Sequence, residues 1–549
     1  MMEPLSENLD IVLAASCFLV VCWLLFKRLS FSPLANLRGP PSSSLIFGNV
    51  MELQHQEDAG ELEYKWISQY GEACKISGAF GQELLMLADP KALHHIVQAS
   101  GYRYPKPSDT NQSIRLIMGR GIFWASGDDH KRHKKVMNPA FDINRLRSFL
   151  PLFQSSAQML ARKWKGEIDR NGGLIDVTTW ISRLMLDNIG EAAFEHKFNA
   201  VDAGGVGELS EAFNNLFAES LLFPDKGTVF FISLWRFIPP SILRYVEYLP
   251  ARQVRRFRQF LKVSKQAAKN LINYRASNRD CEDENKDILS LLVRSNSSVD
   301  PKRRLDEDEL LSQMATIMLA GHDSTAMSLS WLLYDLARNP EDQKRVREEV
   351  LAMKAQSPTP DCLGVNDFEA MTFTNAVIKE TLRLHPIAFM LPRIANQDDI
   401  IPLASPITTK SGERISEIPI REGQSIYMAV YTYNRLKHVW GDDADRWNPG
   451  RFLSDTKDKD KEYTMGMFAN LLTFSGGVRG CLGWRFAILE LQATLVGLIQ
   501  HFEFSPPPGI DIQGAPAGSM IPVIRGRAKE GTQLPLRISV LTPDDGGES

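Results

Sequence analysis

Cys481 sits in the glycine-rich run FSGGVRGCLG at positions 474–483, and an apolar helical pattern starts immediately behind it. A cysteine so placed receives backbone N–H groups and the positive end of a helix dipole. Both favour thiolate over thiol, and thiolate is the form that ligates a metal. Gly477, Gly480 and Gly483 permit positive φ and a close approach to something flat and bulky. Arg479 offers its planar fork to a carboxylate. A buried, inert cysteine after a turn is the plainer alternative, and it leaves the glycines and Arg479 without a purpose.

Composition narrows the rest. The chain has 549 residues, 44% apolar and 23% charged, with a net charge of −3. That describes a folded globular protein, neither disordered nor built for nucleic acid. The cysteines, Cys17, Cys22, Cys74, Cys281, Cys362 and Cys481, form no CxxC pair and no disulfide rhythm, which places the body in a reducing compartment. His130 and His133 lack an accompanying HExxH, so no zinc pattern appears. No GxGxxG or P-loop stands between a strand and a helix, so no nucleotide site is expected. No linker divides the chain, and the charged run at 455–462 reads as a surface loop.

Residues 11–26, IVLAASCFLVVCWLLF, are almost unbroken apolar sequence. As a helix they span roughly 24 Å. An endoplasmic reticulum bilayer is about 27 Å thick, and Lys27 and Arg28 can snorkel across the difference. The acidic start (Glu3, Glu7, Asp10) and the lack of a small-x-small site argue against a cleaved signal peptide. The positive flank on the C-terminal side leaves the body cytosolic. The expected organisation is a membrane anchor at 1–28, a basic, Pro-rich hinge at 29–50 carrying Gly39-Pro40-Pro41, and one body at 51–549.

Within the body, residues 84–88 read as a strand ending at the turn Asp89-Pro90, with a helix from residue 91. From His130 onward most of the chain reads as helix. Apolar residues recur every three or four positions, as at Leu184, Leu186, Ile189, Ala193 and Phe194. Residues 506–541 read as a small terminal sheet. Residues 221–249 allow two readings: core helix with turns, or a partly exposed apolar surface dipping into a membrane. The expected fold class is mostly α with small β-sheets.

The register Phe474, Gly477, Arg479, Cys481, Gly483, followed by Phe486, Ala487 and Glu490, resembles the haem-binding loop of the cytochrome P-450 monooxygenases. Three further segments carry the resemblance. Glu380 and Arg383 share one helical face, His385-Pro386 and Arg393 follow, and Arg451 lies in WNPGRF. These match the family's ExxR pair and its later arginine, with Gly450 where the family has Glu. The resemblance implies a buried architectural network of Glu380, Arg383 and Arg451, and a haem propionate on Arg393. AGHDST at 320–325, inside a long apolar helix over 310–336, is similar to the family's A-G-x-D-T motif. It implies that Asp323 relays protons with Ser324 or Thr325, Ser324 standing where the family has Thr. In HKRHKK at 130–135, His130 and Lys134 occupy the places of the family's W-x-x-x-R. They are implied propionate contacts. The cluster also reads as a solvated basic face that suits an acidic electron donor.

The resemblance implies a cytochrome P-450 fold with one N-terminal transmembrane helix, single-pass in the endoplasmic reticulum membrane. It implies haem b with Cys481 as metal ligand and Phe474, Gly477, Arg479 and Gly483 around the cofactor. One oxygen atom from O2 would enter a lipophilic substrate. Electrons would come from NADPH through a separate NADPH–cytochrome P-450 reductase, with cytochrome b5 as a possible second donor. By family position the pocket draws on residues 108–123, 216–240, 316–320, 387–391 and 518–523, with Phe389 and Met390 at the haem face. These are mostly apolar and favour a lipophilic substrate. Similarity to fungal microsomal members points to a terpenoid or other secondary-metabolite intermediate. Alternatives are a fatty-acid or xenobiotic hydroxylase, a haem-thiolate isomerase or dehydratase not using O2, and a helical binding protein without cofactor. The acid–alcohol pair at Asp323-Ser324 argues against the isomerase.

Overall fold

The Glu307–Arg338 helix organises the body. The computed structural model describes residues 32–541 apart from 203, 205–206, 278–286, 299, 301–303, 361 and 454–462. A capping box starts the long helix: Asp306 accepts from the Glu309 N–H at 2.7 Å, and Glu309 accepts from the Asp306 N–H at 3.0 Å. Such a cap contributes about 1 kcal/mol. Asn339 and Pro340 end the helix. From Leu311 to Leu333 only Ala320, Gly321, Asp323 and Ser324 escape burial.

A helix buried on nearly every side must be enclosed by others. Val177–Phe194, Thr372–Leu384 and Trp484–Ile499 pack against it, and Leu150–Asn171 packs against the first and third of these. Leu184, Leu186, Ile189, Ala193 and Phe194 are all buried in this contact layer. Two glycines allow close approach. A Cβ at Gly321 would lie 2.8 Å from Ile189 Cδ1, and one at Gly497 would lie 2.5 Å from the Ala157 Cβ.

Small sheets complete the mostly helical body. The four-stranded sheet is ordered Ala73–Ser77, Glu83–Leu87, Ser425–Met428, Leu391–Ile394. Its outer pairs are antiparallel and its middle pair is parallel, with Leu84 opposite Ser425 and Arg393 opposite Ile426. Residues 506–541 divide between two sheets, where a single one was expected. Ile512–Pro516 and Met520–Ile524 form a hairpin, while Pro535–Val540 lies between Leu174–Asp176 and Phe502–Ser505. Short apolar runs specify a strand but not its partner, because partners come from distant sequence.

The anchor expected at 1–28 and the charged loop at 455–462 lie outside the described residues. Among the described residues no helix is long and apolar enough to cross a membrane. Residues 34–49 are docked on the body. Leu34 and Leu37 are buried, the Lys75 N–H donates to Arg38 O at 2.9 Å, and the Asn49 N–H donates to Ser77 O at 2.7 Å.

Residues 221–249 are in part core helix with turns and in part an exposed apolar surface. They fold as short helices, Lys226–Leu234 and Pro240–Leu243, joined by tight turns. Val229, Trp235, Leu243 and Val246 are buried, while Phe230, Phe237, Ile242, Tyr245 and Tyr248 are exposed. Phe80 packs edge-on against Phe230 and Phe237. Its N–H donates to Ile46 O at 2.6 Å, which brings the exposed Leu45 and Ile46 to the same patch.

Candidate active site

The Cys481 N–H donates to Phe474 O at 2.9 Å and closes the loop just before the Trp484–Ile499 helix. Phe474 itself is half-buried and packs edge-on against Phe468. Of the three glycines free to take positive φ, only Gly477 adopts it, at 58°, and a Cβ there would lie 1.9 Å from Val97 O. Gly480 has φ −56° and is limited by space, with Met467 Sδ 2.6 Å from its would-be Cβ. Gly483 has φ −87° and nothing nearer than Phe141 at 3.8 Å, so the protein packing does not demand glycine there.

The Cys481 side chain is accessible, yet the surrounding protein strips hydration from its thiol, and the two together place the sulfur on an internal space rather than the open surface. Loss of hydration pushes the thiol up, and the Gly483 N–H pulls it back down. The loop N–H therefore acts in the expected direction, but desolvation wins in the protein alone. A bound cation would restore the thiolate.

Five basic side chains gather beside this loop. Arg479 donates to Ala125 O at 2.6 Å, and its Nη2 is buried without a partner. Its guanidinium lies 5.6 Å from the Tyr102 ring, whose hydroxyl shares a 2.8 Å hydrogen bond with His130 Nδ1. Lys134 donates to Val478 O at 3.1 Å. Arg393 is buried and donates to Pro392 O at 2.8 Å. Lys106 donates to Phe123 O.

None of the five has a carboxylate partner among the described residues. Burial lowers them all, and repulsion from neighbouring cations adds to it for Lys106, His130, Arg393 and Lys134. Lys106 falls to about 6 with Arg479 and Arg393 as further causes, His130 falls to about 3, and Arg393 falls to about 10. Lys134 and Arg479 shift the same way. Burying like charges without a counter-charge is costly. Haem brings two carboxylates, a flat ring and an iron that takes thiolate, and this donor set fits it.

Lys106 was missed in the sequence. Its one local signal is its place between Pro105 and Pro107, which stiffens the backbone but names no partner. The basic run at 130–135 divides by helical face. His130 and Lys134, four apart, turn toward Arg479. Arg132 and His133 turn to Glu309, at 2.6 and 3.5 Å. Burial opposes ionisation of Glu309, but the Arg132 hydrogen bonds hold its carboxyl at about 2. Lys131 and Lys135 are exposed, with Lys131 on Asp128 at 2.8 Å.

Glu380 and Arg383 are fully buried on Thr372–Leu384. Arg383 donates to both Glu380 oxygens, each at 2.8 Å, and to the Asn434 and Ala444 carbonyls at 2.7 and 2.5 Å. Arg451 Nε reaches the same carboxylate at 3.0 and 3.1 Å, and its Nη1 meets Asp443 at 3.0 Å. The Asn448 N–H adds a 2.8 Å bond to Glu380. His385 stacks on Trp331 at 4.3 Å and meets Asp335 at 3.0 Å.

The accessible stripe of the long helix carries the acid and one alcohol. Burial raises the Asp323 carboxyl to about 7, so both protonation states exist near neutrality. Ser324 donates to Ala320 O at 2.7 Å, whereas Thr325 is buried. His322 turns away to Ser182 at 2.7 Å. The pocket segments also meet. A Cβ at Gly121 would touch Thr316 Oγ1 and one at Gly518 would touch Leu221, while the Met520 N–H donates to Ile387 O at 2.8 Å. Phe389 is buried against Ala59 and Met520.

A family model for cytochrome P-450 matches residues 38–526. The chain is 30% identical to cytochrome P-450 monooxygenase 205 of Postia placenta, over 98% of this chain and 99% of that one. It is 31% identical to a cytochrome P-450 monooxygenase of Ampulloclitocybe clavipes, over 95% and 97% of the two chains. It is 30% identical to a ganoderic acid synthetase of Ganoderma lucidum, over 91% and 93%. A thiol facing an internal space, a basic cradle awaiting carboxylates and these matches agree: the chain belongs to the cytochrome P-450 family of haem-thiolate monooxygenases.

Proposed function

We propose that the chain is a membrane-anchored monooxygenase of the endoplasmic reticulum that places one oxygen atom from O2 into a terpenoid-class secondary metabolite. The observation that carries the haem assignment is the uncompensated basic cradle beside Cys481. Haem b bound there supplies oxygen activation, using electrons from NADPH passed by a separate reductase, with cytochrome b5 as a further donor. Cys481 is its thiolate ligand, and Phe474, Gly477 and Gly483 shape the loop around it. Arg479, Arg393, His130 and Lys134, joined by Lys106, hold its carboxylates. Glu380, Arg383 and Arg451 keep the loop in register. The exposed patch of Phe230, Phe237, Ile242 and Tyr245 rests in the membrane beside the anchor.

The apolar segments at 216–240 and 518–523 support a lipophilic substrate, and likeness to a ganoderic acid synthetase supports secondary metabolism. The test is turnover of the full chain with reductase and NADPH on terpenoids, fatty acids and xenobiotics under isotopically labelled O2. One labelled oxygen in a terpenoid product is expected. Conversion of fatty acids alone would replace the substrate class, and rearrangement without label would replace the reaction.

Asp323 holds or releases a proton at the accessible stripe of the long helix, and the Ser324 hydroxyl, the accessible one of the two, passes it on. Ser324→Ala should lower product formed per NADPH consumed and raise hydrogen peroxide release, and Asp323→Asn should slow turnover. Substrate affinity should hold in both. If Thr325→Ala uncouples turnover and Ser324→Ala does not, the relay belongs to Thr325.

A further inference from the structure

The helix Arg252–Ser277 carries RQVRRFRQFLK at its start. Val254, Phe257 and Phe260 turn inward and are buried. Arg252, Arg255, Arg258 and Lys262 are exposed, and at 3.6 residues per turn they fall within an arc of about 120°. Three neighbouring acids are already engaged by other cations of the same helix. Glu219 meets Arg256 at 3.1 Å, Asp308 meets Lys265 at 2.6 Å, and Glu307 meets Lys269 at 3.2 Å. The four outer cations have no hydrogen-bond or ion-pair partner among the described residues. They begin directly after the exposed Tyr245, Tyr248 and Leu249.

We propose that Arg252, Arg255, Arg258 and Lys262 form a docking ridge for the headgroups of anionic phospholipids. The inference rests on the membrane seating proposed above. Two observations favour lipid over another surface. The ridge starts three residues after the exposed Leu249, so adjoining stretches of chain present aromatic side chains for the acyl boundary and cations for the phosphate layer, as an interfacial segment does. The apolar surface at Phe230 and Phe237 also reaches the exposed Leu45 and Ile46 through Phe80, so exposed apolar side chains from distant stretches of the chain gather there. An acidic protein would satisfy the charges and leave the apolar patch unmatched.

The test uses the full chain with its haem and compares partitioning into vesicles of pure phosphatidylcholine and vesicles containing about one third phosphatidylserine. Each cation near an anionic surface strengthens binding about fivefold. With half of the ridge engaged at once, the anionic vesicles should be preferred by at least about twentyfold. The quadruple variant R252Q/R255Q/R258Q/K262Q should lose most of that preference, keep its partitioning into neutral vesicles and keep its haem content. High salt should erase the preference in the unaltered chain. An unchanged preference in the variant overturns the ridge. So does a variant that keeps its lipid preference but loses affinity for reductase or cytochrome b5, which would make the ridge a protein surface. Failure of the unaltered chain to enter neutral vesicles would instead overturn the membrane seating itself.

Discussion

Glu380→Ala will leave little haem-loaded protein, and Arg383→Ala will do the same. The carboxylate of Glu380 is the shared acceptor of two buried guanidiniums and one backbone N–H. Removing it strands Arg383 and Arg451 away from water with only carbonyls and the Asp443 carboxylate to face. Breaking a buried pair by deleting one partner typically costs about 3–5 kcal/mol. Against a total stability of about 5–15 kcal/mol, that is enough to unfold much of the population. The loss concentrates where it matters for cofactor retention. Asn434 accepts from the Leu472 N–H at 3.3 Å, and Thr473 donates to Leu382 O at 2.7 Å, which ties the network to the segment leading into Phe474. Haem per polypeptide and the urea midpoint check this. Glu380→Gln, which keeps the shape and one acceptor, should fall between the native chain and Glu380→Ala. Native haem content and midpoint in Glu380→Ala would reduce the network to a dispensable bridge.

Local chemistry was the legible part of the sequence, and long-range placement was not. Glu380 and Arg383 are three apart on one helix, so their meeting follows from helical geometry alone. The same holds for His130 and Lys134, whose spacing sends them to one face while Arg132 and His133 go to another. The long helix was readable over 310–336 because apolar residues recur at helical spacing throughout it, and the three residues before it were set by the Asp306 cap. Lys106 was hidden because its neighbours, Arg479 and Arg393, lie hundreds of residues away and arrive through tertiary packing. Arg393 gets there on a strand whose partner is Ser425–Met428, a pairing no periodicity announces. The glycines at 477, 480 and 483 looked alike in sequence. Only packing separates a positive φ, a crowded Cβ site and an open position. The thiol of Cys481 was read from its N–H donors and the helix dipole, and burial, which depends on the whole fold, outweighs the loop N–H.

Cys481→Ser should abolish both the thiolate signature and monooxygenase activity. Serine preserves the size of the side chain, so the loop closed by the Cys481 N–H should persist. What changes is the donor, since a hydroxyl is a harder and far less acidic ligand than a thiol. No other described cysteine can take over. Cys74 is buried with its thiol pushed up to about 12 by loss of hydration, and Cys362 lies at the surface beside Gln154. Activity should therefore fall to background, a far larger effect than the uncoupling expected of Ser324→Ala.

The reduced, CO-bound absorption spectrum of the purified full chain, recorded beside that of Cys481→Ser, tests the central claim most directly. The unaltered protein should give the spectrum of a thiolate-ligated haem, and Cys481→Ser should lack it. A thiolate spectrum that survives in Cys481→Ser would contradict the assignment of the ligand and, with it, the reading of the loop, the basic cradle and the network that holds them.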